Sequence, residues 1–263
     1  MQDRLLAEIL SDISAPDGTV TLTQGWTQGR ATFGGLVAAL LARSMTKGLH
    51  EPKTLRSLMV SFVGPAPAGD VGVKASVLRE GRNVTQATAL MTDGDKVCAQ
   101  AMAAYGSDRE TKAAPPDVAF QPEPRDSVPP MDSSVRLLPA FLKHFDVHWT
   151  GGGIPASNQK ARRLGKWVRH NTDVAAFPTE ALIAIADIPP PVMMSHYDRP
   201  IMASSLSWSL EFLVAPETVK PGWCYLDYTL EAAANGYSQQ SGLVFSESGE
   251  LLALSRQCMV YFE

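Results

Sequence analysis

The chain repeats itself, and that repetition restricts its fold more than any single motif does. Residues 55–62, LRSLMVSF, lead into a long segment of alternating apolar and polar residues, 71–106. Residues 205–212, SLSWSLEF, lead into a similar one, 224–262. Gly81 matches Gly236 and Gly94 matches Gly249, both at an offset of 155 (236 − 81 and 249 − 94), and each half closes on a tyrosine, Tyr105 or Tyr261. These glycines sit in EGR, NGY, DGD and SGE, which are hairpin signals between strands. Each half is therefore expected to carry several long antiparallel strands.

One strongly apolar helix is expected upstream of the strands in each half. The first covers 33–45, FGGLVAALLARSM, where two glycines precede good helix formers. The second covers 178–187, PTEALIAIAD, with proline at its start and Pro189, Pro190 and Pro191 just past its end. Both are apolar nearly all round, so each must be wrapped by something. A buried helix with a long antiparallel sheet curled about it is the hotdog arrangement. The expected fold is α+β, a double hotdog. Pro115, Pro116, Pro122, Pro124, Pro129 and Pro130 mark an extended linker at 109–134. It separates an N-terminal repeat, 1–108, from a C-terminal repeat, 135–263.

Composition narrows the function classes. A chain of 263 residues with 45% hydrophobic content can build a real core. A net charge of −4 gives no general attraction for nucleic acid. Cys98, Cys224 and Cys258 form no C-x-x-C pair, so no metal site is expected, and their sparseness suits a reducing compartment. The opening MQDRLLAEIL mixes acids and bases, unlike a signal peptide. The runs LVAALLA and ALIAIA fall short of the ~18 residues a membrane span needs. The expectation is a soluble cytoplasmic protein with no membrane partner.

Asp187 is the acid with the most chemical interest. Leu182, Ile183, Ile185, Ala186 and Ile188 surround it in sequence, and it falls at a helix C-terminus. Burial and the negative end of the helix dipole both raise a carboxyl pKa, which suits a general base. Gln257 interrupts the apolar last strand as a donor and acceptor able to orient a water. In SSLSWSLEFL, strict alternation puts Ser205, Ser207, Ser209 and Glu211 on one face, and Leu206, Trp208, Leu210 and Phe212 on the other.

Several segments together resemble the TesB-like acyl-CoA thioesterase II family of double hotdogs. They are ATFGG with its helix, VLREGRNVTQATALMTDGDKVCAQAMAAYG, ALIAIAD, SSLSWSLEFL and LLALSRQCMVYF. The resemblance implies hydrolysis of an acyl-CoA thioester, with catalytic roles for Asp187, Ser205 and Gln257. It departs from the family pattern at Ser207-Trp208, where the family carries Asp-His, and at Pro189–Pro191.

In that reading Asp187 takes a proton from water, and Ser205 and Gln257 hold the water. Gly34 and Gly35, at the start of the first helix, offer backbone amides to the oxyanion. Coenzyme A belongs to the substrate, and no further cofactor is expected. Arg79, Arg82, Arg162 and Arg163 are candidates for its phosphates; the surrounding KARRLGKWVRH also brings Lys160, Lys166 and Arg169, read as a solvated strand and turn. A homo-oligomer is expected.

The alternatives are a non-catalytic double hotdog that binds an acyl or aromatic ligand, and an enoyl-CoA hydratase-like hotdog. No G-x-S-x-G, P-loop or H-E-x-x-H motif occurs. His144 and His148 bracket FLKHFDVHW, where strand parity puts them on one face.

Overall fold

A computed structural model describes residues 3–135 and 138–263. Met1 and Gln2 of the N-terminal stretch, and Arg136 and Leu137 at the start of the second expected repeat, lie outside the described residues. After α1 (Leu6–Ser11) come β1 (Asp17–Leu22), a small hairpin of β2 (Thr27–Gln28) and β3 (Ala31–Thr32), and the long helix α2 (Gly34–Lys47). The first meander is β4 (Thr54–Phe62), β5 (Gly69–Glu80), β6 (Val84–Asp93) and β7 (Lys96–Gly106). Then follow β8 (Phe145–Gly151), β9 (Arg163–His170) and α3 (Pro178–Ala186). The second meander is β10 (Met202–Phe212), β11 (Cys224–Ala234), β12 (Tyr237–Ser246) and β13 (Leu251–Phe262).

Among the described residues eleven strands form one sheet in the order β1-β5-β6-β7-β4-β10-β13-β12-β11-β9-β8. Read outward from the β4–β10 seam, both directions give the same motif, and β8 is an added edge strand. At the seam the strands run antiparallel, with Ser61 opposite Ser207 and Ser57 opposite Glu211. The hairpin signals hold where backbone geometry demands them: Asn235 and Gly236 both have positive φ (54° and 79°), as a two-residue turn between strands of right-handed twist requires.

The sheet curls around α2 and α3. Helix α2 buries ten of its fourteen residues, among them Leu36, Leu40 and Leu41. Helix α3 buries Glu180 to Ala186 without a break. The helices run antiparallel: Gly35 lies against Ala184 near the end of α3, and Arg43 pairs with Glu180 near its start. No described helix is long and apolar enough to cross a membrane.

Register shows where strict alternation fails. In β10, Ser205 pairs with Met259 but the next ladder pair is Ser207–Cys258, so Leu206 is a bulge. A bulge shifts every residue on one side of it to the opposite face. Ser205 therefore shares the inner face with Trp208 and Met259, not the outer face with Ser207 and Ser209, and Leu206 is 37% exposed. The first repeat has the same device, with Arg56 extra between the Leu55–Tyr105 and Ser57–Ala104 pairs. Aligned on these bulges, Leu55 stands where Ser205 does, Ala103 where Gln257 does, and Ala87 where Gln240 does. At these three positions the inner face is apolar in the first repeat and polar in the second.

The proline-rich segment has no helix or strand from Ser107 to Pro124. It is nonetheless fastened to the outer face of the second repeat. Phe120 packs edge-on to Trp167 and Tyr225 and lies 5.2 Å from Phe245. The Trp167 indole N–H donates to the Glu123 carbonyl at 2.9 Å. A short 3₁₀ helix, Ala140–His144, precedes β8 and breaks the parity between His144 and His148. His144 stacks at 4.0 Å on the buried Trp26, while His148 meets Trp223 and the Val128 carbonyl.

Candidate active site

Asp187 is the C-cap of α3. The helix stops there because Pro189, Pro190 and Pro191 cannot continue its hydrogen bonding. Tyr228, on β11, reaches across to donate its hydroxyl to the Ala186 carbonyl and caps the helix end. The ring fits because position 242 is glycine; a Cβ there would lie 2.5 Å from a ring carbon.

The Asp187 carboxylate meets three elements. The Gln257 side-chain N–H donates to Oδ1 at 2.6 Å. The Gly35 N–H, in the first turn of α2, lies against the carboxylate and favours its charged form. Gly34 packs so closely that an added Cβ would be 2.7 Å from Oδ2 and 3.2 Å from the Phe62 ring. Burial is the strongest influence and pushes the carboxyl up to about 7; Gln257 and Gly35 oppose it but do not cancel it. The negative end of α3 acts in the same direction as burial, and the positive end of α2 opposes it.

Gln257 is only 3% exposed and pairs across the ladder with Trp208. Trp208 is buried too and donates its indole N–H to Ser255 at 2.9 Å. Ser205, half-buried, is the diagonal inner-face neighbour of Gln257. Such neighbours are separated by about 7–8 Å, too far for a direct bond but wide enough for a water between them. Among the described residues the Ser205 hydroxyl has no hydrogen-bond partner.

The remaining candidates lie elsewhere. Arg163 is held bidentately by Asp227, and Arg162 donates to the Leu230 and Glu231 carbonyls at 2.7 and 2.8 Å. Both serve the edge of the second repeat. Lys166 is not on a solvated rim: it is 1% exposed, lies 3.6 Å above the Trp149 ring, and burial pushes its ammonium down to about 7. Arg79 and Arg82 are exposed and, with Arg109, line a groove of about 490 Å³ by the β5–β6 hairpin. That hairpin lies by the far end of α2, where Tyr105, paired with Thr85, contacts Thr46. A helix of fourteen residues spans about 20 Å, and this separates the groove from Gly34 and Asp187. A hollow of about 410 Å³ beside Pro178, Ala181, Leu182 and Ile185 opens on a different face of α3 from Asp187.

Two of the three thiols, Cys98 and Cys224, are buried and poor nucleophiles. Burial pushes Cys224 up to about 12 and raises Cys98. The histidines are dispersed: His170 contacts the Ala181 carbonyl, His196 the Ala161 carbonyl and His50 the Glu80 carboxylate. Sequence reasoning missed Gln240, which bonds Gln257 at 2.9 Å. Its signal is visible in YSQQSGLVF, where inward positions 238, 240 and 242 are polar or small rather than aliphatic.

Two helix-filled halves of one sheet, with a buried acid where the second helix ends against the first, define a double hotdog of the α+β class. Residues 22–106 match the acyl-CoA thioesterase N-terminal domain, and 114–261 match the acyl-CoA thioesterase C-terminal domain. The chain belongs to the TesB-like acyl-CoA thioesterase family, a family of thioester hydrolases.

Solved structures share the fold at low identity. A conserved protein with a hot dog fold from Alicyclobacillus acidocaldarius superposes with a TM-score of 0.84 at 21% identity, covering 97% of this chain and 98% of its own. The tesB protein of Mycobacterium avium subs paratuberculosis gives 0.78 at 15%, covering 98% and 100%. The acyl-CoA thioesterase II TesB2 of Mycobacterium marinum gives 0.74 at 17%, covering 98% of each chain. No curated protein matches by sequence.

Proposed function

We propose that this chain hydrolyses an acyl-CoA thioester to a free acid and coenzyme A, with Asp187 as general base. The observation that carries the proposal is the buried Asp187 carboxylate, raised toward neutrality and gripped by Gln257. Ionised Asp187 accepts a proton from a water held by the Ser205 hydroxyl and the second Gln257 N–H, and the resulting hydroxide attacks the thioester carbon. The Gly34 N–H, with no helical acceptor at its position, stabilises the oxyanion. As the tetrahedral intermediate collapses, the C–S bond breaks and Asp187 returns its proton to the departing thiolate. Water is the only co-reactant, so the cycle uses no cofactor.

A panel of acyl-CoAs of graded length tests this by release of free thiol. Binding without thiol release would support the ligand-binding alternative, and loss of enoyl absorbance on water addition would support a hydratase. The dispersed histidines argue against the latter, because none of their contacts involves Asp187.

The same proposal places the phosphates of coenzyme A in the Arg79–Arg82–Arg109 groove. No carboxylate salt bridge neutralises these arginines among the described residues, and phosphate suits their forked donors. Replacing all three with alanine raises KM for acyl-CoA about 10-fold or more and leaves kcat unchanged. KM for the acyl-pantetheine thioester, which lacks the phosphates, does not move. Equal KM changes for both substrates would remove the groove from the proposal.

A homodimer completes it. Met59 and Met102 are opposite each other on the outer face of the central strands, 51% and 42% exposed, and offer a second copy an apolar contact. A monomer by sedimentation at micromolar concentration would exclude the dimer.

A further inference from the structure

Gln240 lies on β12, 1% exposed, with no role in the chemistry above. Its bonds give it a direction. The Val192 backbone N–H donates to Gln240 Oε1 at 3.1 Å. Gln240 Nε2 donates to Gln257 Oε1 at 2.9 Å, and Gln257 Nε2 donates to Asp187 Oδ1 at 2.6 Å. A backbone N–H can only donate, so the first link forces the carbonyl end of Gln240 toward Val192 and its NH₂ toward Gln257. That in turn forces the carbonyl of Gln257 toward Gln240 and its NH₂ toward Asp187. An isolated amide can turn over and present either end; this one is fixed by a peptide group two side chains away. The proline run contributes directly. Pro189, Pro190 and Pro191 have no N–H to donate, so Val192 carries the first backbone donor after them, and it enters the 3₁₀ turn Val192–His196 aimed at Gln240.

We propose that Gln240 is a positioning residue that locks the polarity of the Gln257 amide, so that Asp187 always meets a donor. The inference rests on Asp187 being the base. Without Gln240, the Gln257 amide is free to rotate and present its carbonyl to Asp187. A carbonyl facing the carboxyl favours the protonated form and turns the base off at neutral pH. The groups facing Asp187 are Gln257 on β13, the Gly34–Gly35 turn of α2, Phe62 on β4 and Tyr228 on β11. Tyr228 is the titratable one among them; burial holds its hydroxyl neutral throughout the working range.

The test compares Gln240→Leu and Gln240→Met with Gln239→Leu, whose side chain faces the outer side of the same strand, by thiol release over pH 5–9. The Gln240 variants are expected to lose up to about 100-fold in kcat, keep KM within about 2-fold, and move the acidic limb of the pH–rate profile to higher pH. Gln239→Leu is expected to leave the profile unmoved. A Gln240 variant with wild-type kcat and limb, or one with lowered kcat and an unmoved limb, overturns the positioning role. Wild-type turnover in Asp187→Asn overturns the general-base reading instead, so the two failures are distinguishable.

Discussion

Asp187→Asn lowers turnover by about 10²- to 10⁴-fold, the range a positioned general base supplies, while the protein stays folded. Asparagine keeps the shape and can still accept from Gln257, so the loss reports the missing base. The wild-type kcat/KM should rise with pH and level off above about 7, where Asp187 ionises. Stability should run the other way. The folded-state pKa lies above the ordinary aspartate value of 3.8, so ionising Asp187 costs the fold. That cost is absent below the unfolded pKa, grows as pH rises from about 4, and is complete above the folded value. The shift sets a ceiling of about 4 kcal/mol on that cost. Asp187→Asn should therefore match wild type in thermal unfolding at pH 4 and exceed it at pH 8. A mutant with wild-type turnover, or one no more stable at pH 8, contradicts the assignment.

Alanine at Gly34 and at Gly35 should separate two effects that glycine combines here. In a helix, alanine is favoured over glycine by about 1 kcal/mol, so either change would stabilise an isolated α2. At Gly35 the new Cβ would lie 2.8 Å from the Ala184 carbonyl, a backbone atom of α3 that cannot turn aside, and 2.6 Å from the Phe33 ring. Separating two packed helices costs about 1–3 kcal/mol, which exceeds the propensity gain. A fall in Tm of up to about 8 °C follows for a domain of this size. At Gly34 the obstacles are side chains, Asp187 Oδ2 and the Phe62 ring. These can give way, so Tm should hold while Asp187 is pushed from Gln257 and turnover falls about 10-fold or more. Thermal unfolding and thiol release on the same two samples read both effects. Full activity in Gly34→Ala would mean that the close packing at Asp187 has no part in catalysis.

The sequence revealed the parts of the fold that local chemistry determines. The helix over 33–45 appears as Gly34–Lys47, and that over 178–187 as Pro178–Ala186, because proline and composition set their limits. The Asn-Gly turn at 235–236 was legible for the same reason. What stayed hidden depends on partners distant in the chain. The Leu206 bulge arises from pairing with β13, some fifty residues on, and it reverses the face that alternation assigns to Ser205. The Arg163–Asp227 pair joins neighbouring strands 64 positions apart, so KARRLGKWVRH gives no hint that its arginines are already engaged. Lys166 looked like part of a charged rim because nothing local shows that Trp149 will lie beneath it. The glycine offset of 155 finds the repeat, but bulges make the inner faces correspond at 154 on the last strand (257 − 103), so only the ladder shows that alanine holds the position equivalent to Gln257.

The apolar residues Leu55, Ala87 and Ala103, which stand in the first repeat where the second has Ser205, Gln240 and Gln257, have a consequence for how such a chain can change. Two identical subunits must carry every substitution twice, so a polar cluster that supports a reaction also burdens its mirror image. Joining the halves in one polypeptide removes that obligation. Here one half retains leucine and alanine as ballast for the shared sheet, and the other is free to hold an acid and two buried amides at its centre.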